Sequence, residues 1–599
     1  RFVYQYIAAQ PPEEQLKFDS TKSRVFTIDI ETAAENGFPN IETADQEILA
    51  ISIKDSFTGR ITVFGARPFN NQDNMVDYMH FRSEETMMGA FLQYWQENYP
   101  DVVTGWNCQL FDMPYIHNRI NRIMGEKFVK LLSPWKLVSQ REIFIKGRKN
   151  FSIDMLGISQ LDYLELYKKF TYTNQESYRL DHIAFVELGS KKLDHSEFDT
   201  FKEFYEGDWQ KFIEYNIHDV RLVDQLDDKM KLVELAYTMA YDAKVNYEDV
   251  FSQVRMWDNY IYCELLRRKI AIPPKKESAT KTEKYAGAYV KEPKPGFYDW
   301  VVSFDLNSLY PHLIMQYNIS PETLLDKRHS TVTVDKILEG EVKIDGEYAV
   351  CANGAQYRKD KHGFLPQMMK KMYDSRVIFK KRMIKAKQQY EKTPTVELMK
   401  EIARCNNIQM AKKISLNSAY GAIGNEHFRY YRLANAEAIT LSGQVSIRWI
   451  EDKMNRYLNT LLQTEKVDYV IASDTDSIYL NLGPLVDKFF GAKSGDKAAI
   501  VSILDKICED KLEPFIESSY QELADYVSAY EQKMSMKREN IADRGIWTAK
   551  KRYILNVWDS EGVRYKEPKM KIMGLETARS STPAYFRDKL YAAFKIIIG

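Results

Sequence analysis

Acidic residues set into otherwise apolar, strand-forming runs constrain this chain more than any other feature. Val25-Phe26-Thr27-Ile28-Asp29-Ile30-Glu31-Thr32 reads as a strand with two carboxylates at i and i+2. Side chains two apart on a strand share a face, so Asp29 and Glu31 point together while Ile28 and Ile30 point the other way, into a core. Val301-Val302-Ser303-Phe304-Asp305 is a second such run, ending in an acid. Leu306-Asn307-Ser308-Leu309-Tyr310-Pro311 follows it, where the proline fixes a turn and starts a helix. A third run, Tyr469 to Leu480, is an apolar hairpin with Asp474 and Asp476 at its tip. Carboxylates held together out of water repel one another unless a cation or hydrogen-bond donors stand among them. Mg2+ and Mn2+ take oxygen ligands and suit such pairs. Each segment alone also has an ordinary reading, as a surface strand with paired acids or as an Asp- and Ser-rich turn.

Further segments supply partners for both sets. Thr104-Gly105-Trp106-Asn107-Cys108-Gln109-Leu110-Phe111-Asp112 places an acid just after a strand and at a helix start, where Asp112 alone is most simply an N-cap. In Glu214-Tyr215-Asn216-Ile217-His218-Asp219, Tyr215 and Asp219 stand at i and i+4 on one helix face. Together Asp29, Glu31, Asp112 and Asp219 can hold two metals, with Tyr215 helping to position an attacking water, an arrangement for in-line phosphodiester hydrolysis. In the second half of the chain, Lys413, Asn417 and Tyr420 form a polar and cationic helix stripe, which points at something other than a core. Arg376 and Lys380 are again i and i+4. Two helices presenting Arg376, Lys380 and Lys413 can grip a triphosphate through charge-assisted hydrogen bonds.

At 599 residues the chain is too long for one ordinary core, so several domains are expected. No run of 18 or more apolar residues exists, and the five Cys have no paired spacing that would suggest a disulfide framework or a zinc ribbon. The net charge is zero, so any grip on nucleic acid must be local. Between Lys361 and Lys387 there are nine Lys/Arg and one acid, Asp374, and between Gly545 and Lys571 seven Lys/Arg and three acids. Strand signals alternate with turns over 24–66, helices are expected at 84–98 and 112–123, and strands alternating with helices to about 230 suggest an α/β domain. Pro273-Pro274 and the polar stretch Lys275 to Lys284 mark a break. Residues 367–393 and 396–425 read as two long helices, and 468–482 as a hairpin. Pro583 to Ile598 reads as a helix with Tyr585, Leu590, Ala593, Phe594 and Ile597 on one stripe, an apolar end that needs a covering partner.

The order D-x-E, N-x3-F-D, Y-x3-D resembles the three motifs of DnaQ-like 3′→5′ exonucleases, which have an RNase H-like fold. The segments D-x-x-S-L-Y-P, K-x3-N-S-x-Y-G and D-T-D-S resemble motifs A, B and C of family B DNA polymerases. Their flanks, Asn318 to Thr323, His427 to Tyr431, Lys550 to Tyr553 and Lys571 to Thr577, are similar to those of the replicative polymerases of T-even-type bacteriophages. The resemblance covers roughly residues 24 to 599.

It implies a multidomain α/β and α+β chain, with an RNase H-like exonuclease domain, a family B palm and fingers, and a thumb that is largely absent. The boundaries expected are an N-terminal-domain remnant at 1–23, the exonuclease domain at 24–231 and a helical segment returning to the N-terminal domain at 232–276. Palm at 277–362, fingers at 363–426, palm again at 427–574 and the start of a thumb at 575–599 complete the expectation. Asp305 and Asp476 match the metal-binding acids of the polymerase site, Asp474 the neighbouring acid, and the backbone of Leu306 a further metal ligand. Leu306, Ser308, Leu309, Tyr310, Arg376, Lys380, Lys413, Asn417 and Tyr420 are expected at the incoming nucleotide, with Tyr310 excluding a 2′-hydroxyl. Tyr285, Gly287, Gly421, Lys550, Lys551, Arg552 and Tyr553 are expected along the DNA, Tyr285 to Ala288 standing where the family has a Y-x-G-G-like loop. The implied cofactors are two Mg2+ per site, replaceable by Mn2+. The implied partners are primer–template DNA and dNTPs, with a sliding clamp and a single-strand-binding protein reached through regions outside this chain, and no membrane. The setting implied is the cytoplasm of an infected bacterium. The chain departs from the family at Ala472-Ser473, where many relatives have Tyr-Gly before D-T-D-S, and in finger helices that are short for a T-even relative. The alternative from another class is a DNA-binding or scaffolding fragment with silent sites, which metal-dependent dNTP incorporation on a primed template would separate from an enzyme.

Overall fold

In a computed structural model, described for residues 19–598 apart from 36, 146, 172–174, 191, 195, 276–284, 492–495 and 579–581, and for 5, 6, 9 and 11, the chain forms two compact units, residues 1–259 and 260–599. Residues 1–4 and the polar stretch over 276–284 lie outside the described residues.

The first unit is built on a six-stranded mixed sheet. Its strands are β1 (Val25–Thr32), β2 (Ile48–Asp55), β3 (Ile61–Gly65), β4 (Val76–His80), β5 (Val102–Thr104) and β8 (Ser159–Gln160), in the order β4-β3-β2-β1-β5-β8. β6 (Val138–Ile145) and β7 (Arg148–Met155) form a separate antiparallel hairpin. β1 pairs antiparallel with β2 and parallel with β5, so both its edges are satisfied and its two faces are free to bury different things. One face joins α1 (Glu84–Glu97), which begins at the Ser83 cap and turns Met87, Phe91 and Trp95 inward onto Phe26, Ile28 and Ile30. α2 (Asp112–Ile123) follows β5, and α3 (Trp209–Met230) packs on the opposite face of β1 and β2, with Phe212, Ile213 and Ile217 against Leu49, Ala50 and Val63. Burying each such side chain stabilises the fold by about 1.5–3 kcal/mol. Helix Leu232–Ala243 also belongs to this unit and packs on helix Tyr163–Phe170.

The second unit is organised by an antiparallel sheet. β9 (Gly296–Leu306) leads into α4 (Leu309–Gln316), followed by a short two-stranded ladder of β10 (Ala349–Val350) and β11 (Gln356–Tyr357). α5 (Phe364–Lys392) and α6 (Val396–Ile423) pack on one another and are joined by 393–395, where Thr395 caps α6 by accepting from Leu398 N–H. At about 1.5 Å per residue each is roughly 40 Å long. Beyond Met372 only Met383 and Ala386 of α5 are buried, which leaves the outer half of that helix to its neighbour and to solvent. α7 (Leu433–Leu462) then packs on β12 (Val470–Asp474) and β13 (Ser477–Asn481), the hairpin expected at 468–482. β14 (Met536–Ala549), β15 (Arg552–Ser560) and β16 (Val563–Met573) complete the sheet, whose order is β12-β13-β9-β14-β15-β16.

The last helix forms as expected, over Ala584–Ile598, but its buried stripe is different. Arg587, Leu590, Phe594 and Ile598 turn inward, at i, i+3, i+7 and i+11, and Ile598 and Phe594 meet Ile554 and Leu575. Tyr585, Ala593 and Ile597 are exposed. The stripe read from the sequence was out of phase because half the helix's apolar residues face outward, so apolar periodicity alone could not choose the face.

The turn between β14 and β15 depends on a glycine that comes from elsewhere. Gly574, at φ +65°, lies so close that a Cβ on it would stand 2.0 Å from the carbonyl oxygen of Lys551. Both the left-handed backbone and the clash penalise any side chain there. Gly574→Ala is therefore expected to lower stability by about 2 kcal/mol or more, read as an earlier thermal or urea transition; an unchanged transition would show that the close approach is not maintained in solution.

Candidate active sites

The first site lies on the α3 side of β1. Alternation along β1 sends Asp29 and Glu31 to that face, and α3 brings Asp219 and Tyr215 over them. The ligand oxygens of Asp29, Glu31 and Asp219 lie within 4.8 Å of one another. Asp112 opens α2, yet its carboxylate does not cap that helix. Its Oδ1 accepts from the Ile30 N–H at 3.0 Å, which fixes the acid against β1 between Asp29 and Glu31 in sequence. Asn216 donates to Asp29 Oδ2 at 2.6 Å and is itself held by Ser52.

Burial raises all four acids, and the charges of their cluster neighbours raise Asp29 and Glu31 further. Asp29 stands well above the usual carboxylate range, through burial first and then Asp219, Glu31 and Asp112. Burial, then Asp219, pushes Glu31 up to about 8. Burial lifts Asp112 to about 7 against the opposing bond from Ile30. Asp219 is raised by burial and opposed by Lys192. Lys192 is the residue that sequence reasoning missed. Its ammonium pairs with Asp219, donates to the Tyr215 hydroxyl at 2.9 Å and sits 4.8 Å over the Tyr215 ring. Burial alone would lower it, but Asp219, Tyr215 and Asp29 hold it above its ordinary value. A lysine in the charged stretch around Leu193 and Asp194 gives no periodic signal, and only the tertiary approach reveals it. An all-oxygen anionic donor set fits a hard divalent cation, and Asp219 Oδ1, buried without a hydrogen-bond partner, is an orphan oxygen of the kind such an ion takes. The cleft in front, of about 800 Å³, is lined by Trp106, Arg179, Asp181 and Lys192 among others.

The second site sits at one end of the other sheet. β13 pairs with β9 so that Ser477 faces Asp305, and β12 pairs with β13 so that Asp474 faces Ser477. The two-residue tip, Thr475-Asp476, closes with Thr475 at φ +56° and Asp476 N–H donating to the Asp474 carbonyl at 2.6 Å. Leu306 N–H donates to the Asp476 carbonyl at 2.8 Å, which ties the tip to the end of β9. Asp305 is lifted to about 7 by burial, then by Asp476 and Glu539. Asp476 is lifted to about 6 by burial, then by Asp474 and Glu539. Glu539 on β14 was not singled out in the sequence, since one acid in a mixed-charge strand carries no pattern. It accepts from Ser303 Oγ at 3.1 Å and from Lys571 Nζ at 3.0 Å.

The expected nucleotide-facing residues fall around these acids unevenly. Lys413 is held below its ordinary value by burial and then by Arg376 and Lys380. Arg376 Nε is buried with no hydrogen-bond partner. Asn417 is exposed on the same stripe. Tyr310 lies against Tyr420 with ring centroids 4.6 Å apart, and Tyr420 reaches the Tyr285 hydroxyl at 3.1 Å. Ser308, in the left-handed region at φ +47°, precedes α4, and Leu309 is buried. The Gly287 carbonyl accepts from Gln444 at 2.6 Å, and Gly421 is exposed within α6. Of the basic segment, Lys551 reaches Asp474 at 3.3 Å, Lys550 pairs with Glu292 at 3.3 Å and Arg552 with Glu576 at 2.6 Å. Tyr553 is buried, with its hydroxyl 2.9 Å from that of Tyr479.

All five cysteines are buried, and among the described residues none forms a disulfide and no helix is long and apolar enough to cross a membrane. Ser473, which replaces the expected glycine, is buried with its hydroxyl 3.4 Å from Glu451.

Comparison with known proteins agrees with this geometry. The family model for the DNA polymerase family B exonuclease domain matches residues 4–183, and that for DNA polymerase family B matches residues 253–500. The DNA-directed DNA polymerase of Escherichia phage RB69 is 36% identical, over 95% of this chain and 71% of that protein. That of Enterobacteria phage T4 is 33% identical, over 98% and 73%. The DNA polymerase delta catalytic subunit of Candida albicans is 27% identical, over 80% and 46%. With one acid cluster in the unit matched by the exonuclease model and the other in the unit matched by the polymerase model, the chain belongs to DNA polymerase family B and is a DNA-directed DNA polymerase with an exonuclease domain.

Proposed function

We propose that this enzyme extends a DNA primer on a template with dNTPs at the Asp305/Asp476 site and removes mispaired ends in the 3′→5′ direction at the Asp29/Glu31/Asp112/Asp219 site. The observation that carries the reading is that each unit holds its own set of crowded, raised acids, so neither site borrows a carboxylate from the other. On this reading Asp305, Asp476 and the Leu306 backbone hold one pair of Mg2+ ions, and Asp29, Glu31, Asp112 and Asp219 the other, with Mn2+ able to replace them. Bound there, the ions would activate the attacking oxygen, a primer 3′-hydroxyl or a water, and neutralise charge on the leaving oxygen.

The protein's own groups do the rest. Arg376, Lys380 and Lys413 neutralise and orient the triphosphate, with Asn417 beside them. The Tyr310 ring, braced by Tyr420, stands under the deoxyribose and leaves no room for a 2′-hydroxyl. Leu306, Ser308 and Leu309 lie along the same nucleotide, and Tyr285, Gly287, Gly421 and Lys550 to Arg552 along the primer–template. Lys192 holds the Tyr215 hydroxyl where it can orient a water beside Asp219. A mispaired end frays more readily than a paired one, so a single-strand cleft selects it without reading the base. The setting is replication of a phage genome in the cytoplasm of an infected bacterium, with a sliding clamp and a single-strand-binding protein as the accessory proteins that the resemblance implies.

Two measurements test this. Asp305→Asn or Asp476→Asn is expected to lower primer extension by more than about 10³-fold and leave single-strand degradation in place, while Asp29→Ala with Glu31→Ala does the reverse. Loss of both activities in each variant, with folding intact, would defeat the two-site reading. The second measurement is pH dependence without metal. Burial and Asp219 raise Glu31 to about 8 in the folded state, above its ordinary value of 4.5, so between those pH values the native state binds more protons than the unfolded one. Stability conferred by the protonated form is complete below the unfolded value and is lost as pH rises through the folded one. The metal-free protein should therefore melt earlier at pH 8 than at pH 5, Mg2+ should raise the transition more at pH 8, and Asp29→Ala with Glu31→Ala should flatten both effects. A flat profile for the unsubstituted protein would contradict the crowding described above.

A further inference from the structure

The exonuclease unit holds a buried carboxylate that none of the chemistry above uses. Asp162 is 1% exposed, and it bonds to three backbone amides. Its Oδ1 accepts from Leu164 N–H at 2.9 Å and from Asn107 N–H at 3.1 Å, and its Oδ2 accepts from Gln109 N–H at 3.0 Å. The Leu164 bond is an ordinary N-cap for helix Tyr163–Phe170. The other two reach a different segment, the loop that joins β5 to α2.

That loop decides where Asp112 stands. Its hydrogen bonds run forward into the helix, from Leu110 N–H and Phe111 N–H to the Asn107 carbonyl at 3.1 and 3.0 Å, and from Met113 N–H to the Cys108 carbonyl at 3.0 Å. It begins at Gly105, where a Cβ would come within 2.5 Å of the Ile28 carbonyl oxygen, so the loop lies directly on the strand that carries Asp29. Asn107 occupies the left-handed region at φ +69°, a backbone state that asparagine adopts more readily than most other residues. The segment that carries Asp162 is fixed to β5 in turn, since Leu161 N–H donates to the Val103 carbonyl at 2.9 Å, Tyr163 N–H to that of Gly105 at 2.9 Å, and Thr104 Oγ1 to that of Leu161 at 2.7 Å.

A cap alone would not need this residue. Serine caps a helix about as well as aspartate and carries no charge into the interior. Only a side chain with two acceptor oxygens can bond its own helix and the two loop amides together. We propose that Asp162 is a positioning residue of the exonuclease site: by clamping Asn107 and Gln109 it sets where α2 begins, and so holds the Asp112 carboxylate on the Ile30 amide beside Asp29 and Glu31. The inference rests on the exonuclease reading given above. Groups that orient a metal-binding acid in this way are typically worth about 10- to 100-fold in metal affinity or activity.

The test uses the full chain with two variants. Asp162→Ser keeps a cap acceptor but loses the bonds to Asn107 and Gln109, and Asp162→Asn keeps the volume but presents an NH2 group to one of the amides. Single-strand degradation is followed against Mg2+ concentration, with thermal unfolding and primer extension measured on the same preparations. The expected result is a fall of about 10- to 100-fold in degradation for Asp162→Ser, together with a higher half-saturating Mg2+ concentration, a smaller loss for Asp162→Asn, and unchanged primer extension. Wild-type rates and Mg2+ dependence in both variants would overturn the proposal. So would a loss that leaves the Mg2+ half-saturation unchanged and follows a lowered unfolding temperature, since Asp162 would then only hold the fold. Unsubstituted protein that degrades no single strand in Mg2+ would instead defeat the exonuclease reading, and this proposal with it.

Discussion

Repulsion among Asp29, Glu31, Asp112 and Asp219 is the interaction around which the first unit is arranged. Glu31, Asp112 and Asp219 are each under a tenth exposed, and burial drives all four acids upward. A group of this kind persists only where the backbone supplying it is over-determined. β1 is therefore paired on both edges, its apolar face is covered by α1, and the Asp112 carboxylate is tied to β1 by accepting from the Ile30 N–H. Lys192 supplies a cationic partner to the cluster, and it does so from outside the three segments that supply the acids.

The second unit meets the same problem with different means. Its acids stand at the end of an antiparallel sheet and are only partly covered, and burial still lifts Asp305 to about 7 and Asp476 to about 6. Neighbouring strands place them, with a two-residue tip and a single bond from Leu306 to the Asp476 carbonyl fixing their relation. Lys551 and Lys571 approach from β14–β16, one toward Asp474 and one toward Glu539. Arg376, Lys380 and Lys413, proposed above to hold a triphosphate, stand on α5 and α6 rather than on the sheet that carries the acids.

Much of this was legible before the structure. Period-two alternation gave the face of Asp29 and Glu31, helical spacing gave Tyr215 with Asp219 and Arg376 with Lys380, and the apolar flanks of Asp474-Thr475-Asp476-Ser477 gave a hairpin. The helix-cap alternative for Asp112 gives way to a bond with the neighbouring strand, because the β5–α2 loop lays the helix start on β1. Tyr553, read as part of a DNA-facing segment, is buried against Tyr479 and Trp547, since alternation along β15 turns it away from Arg552 and into the core.

The sequence by itself determined the local terms: which residues are acids, which faces they share within one strand or helix, and that two sets of them exist. Those follow from backbone periods of 2 and 3.6 residues, which act within a single segment. Only the tertiary structure decided which distant residues complete each set. Lys192, Glu539 and Asp162 have no periodic signature, and their roles arise from approaches between segments tens to hundreds of residues apart, set by strand order and loop closure rather than by any local pattern. The tertiary structure also set the charge state of the acids, because burial and the number of like charges within a few ångströms are properties of the assembled fold.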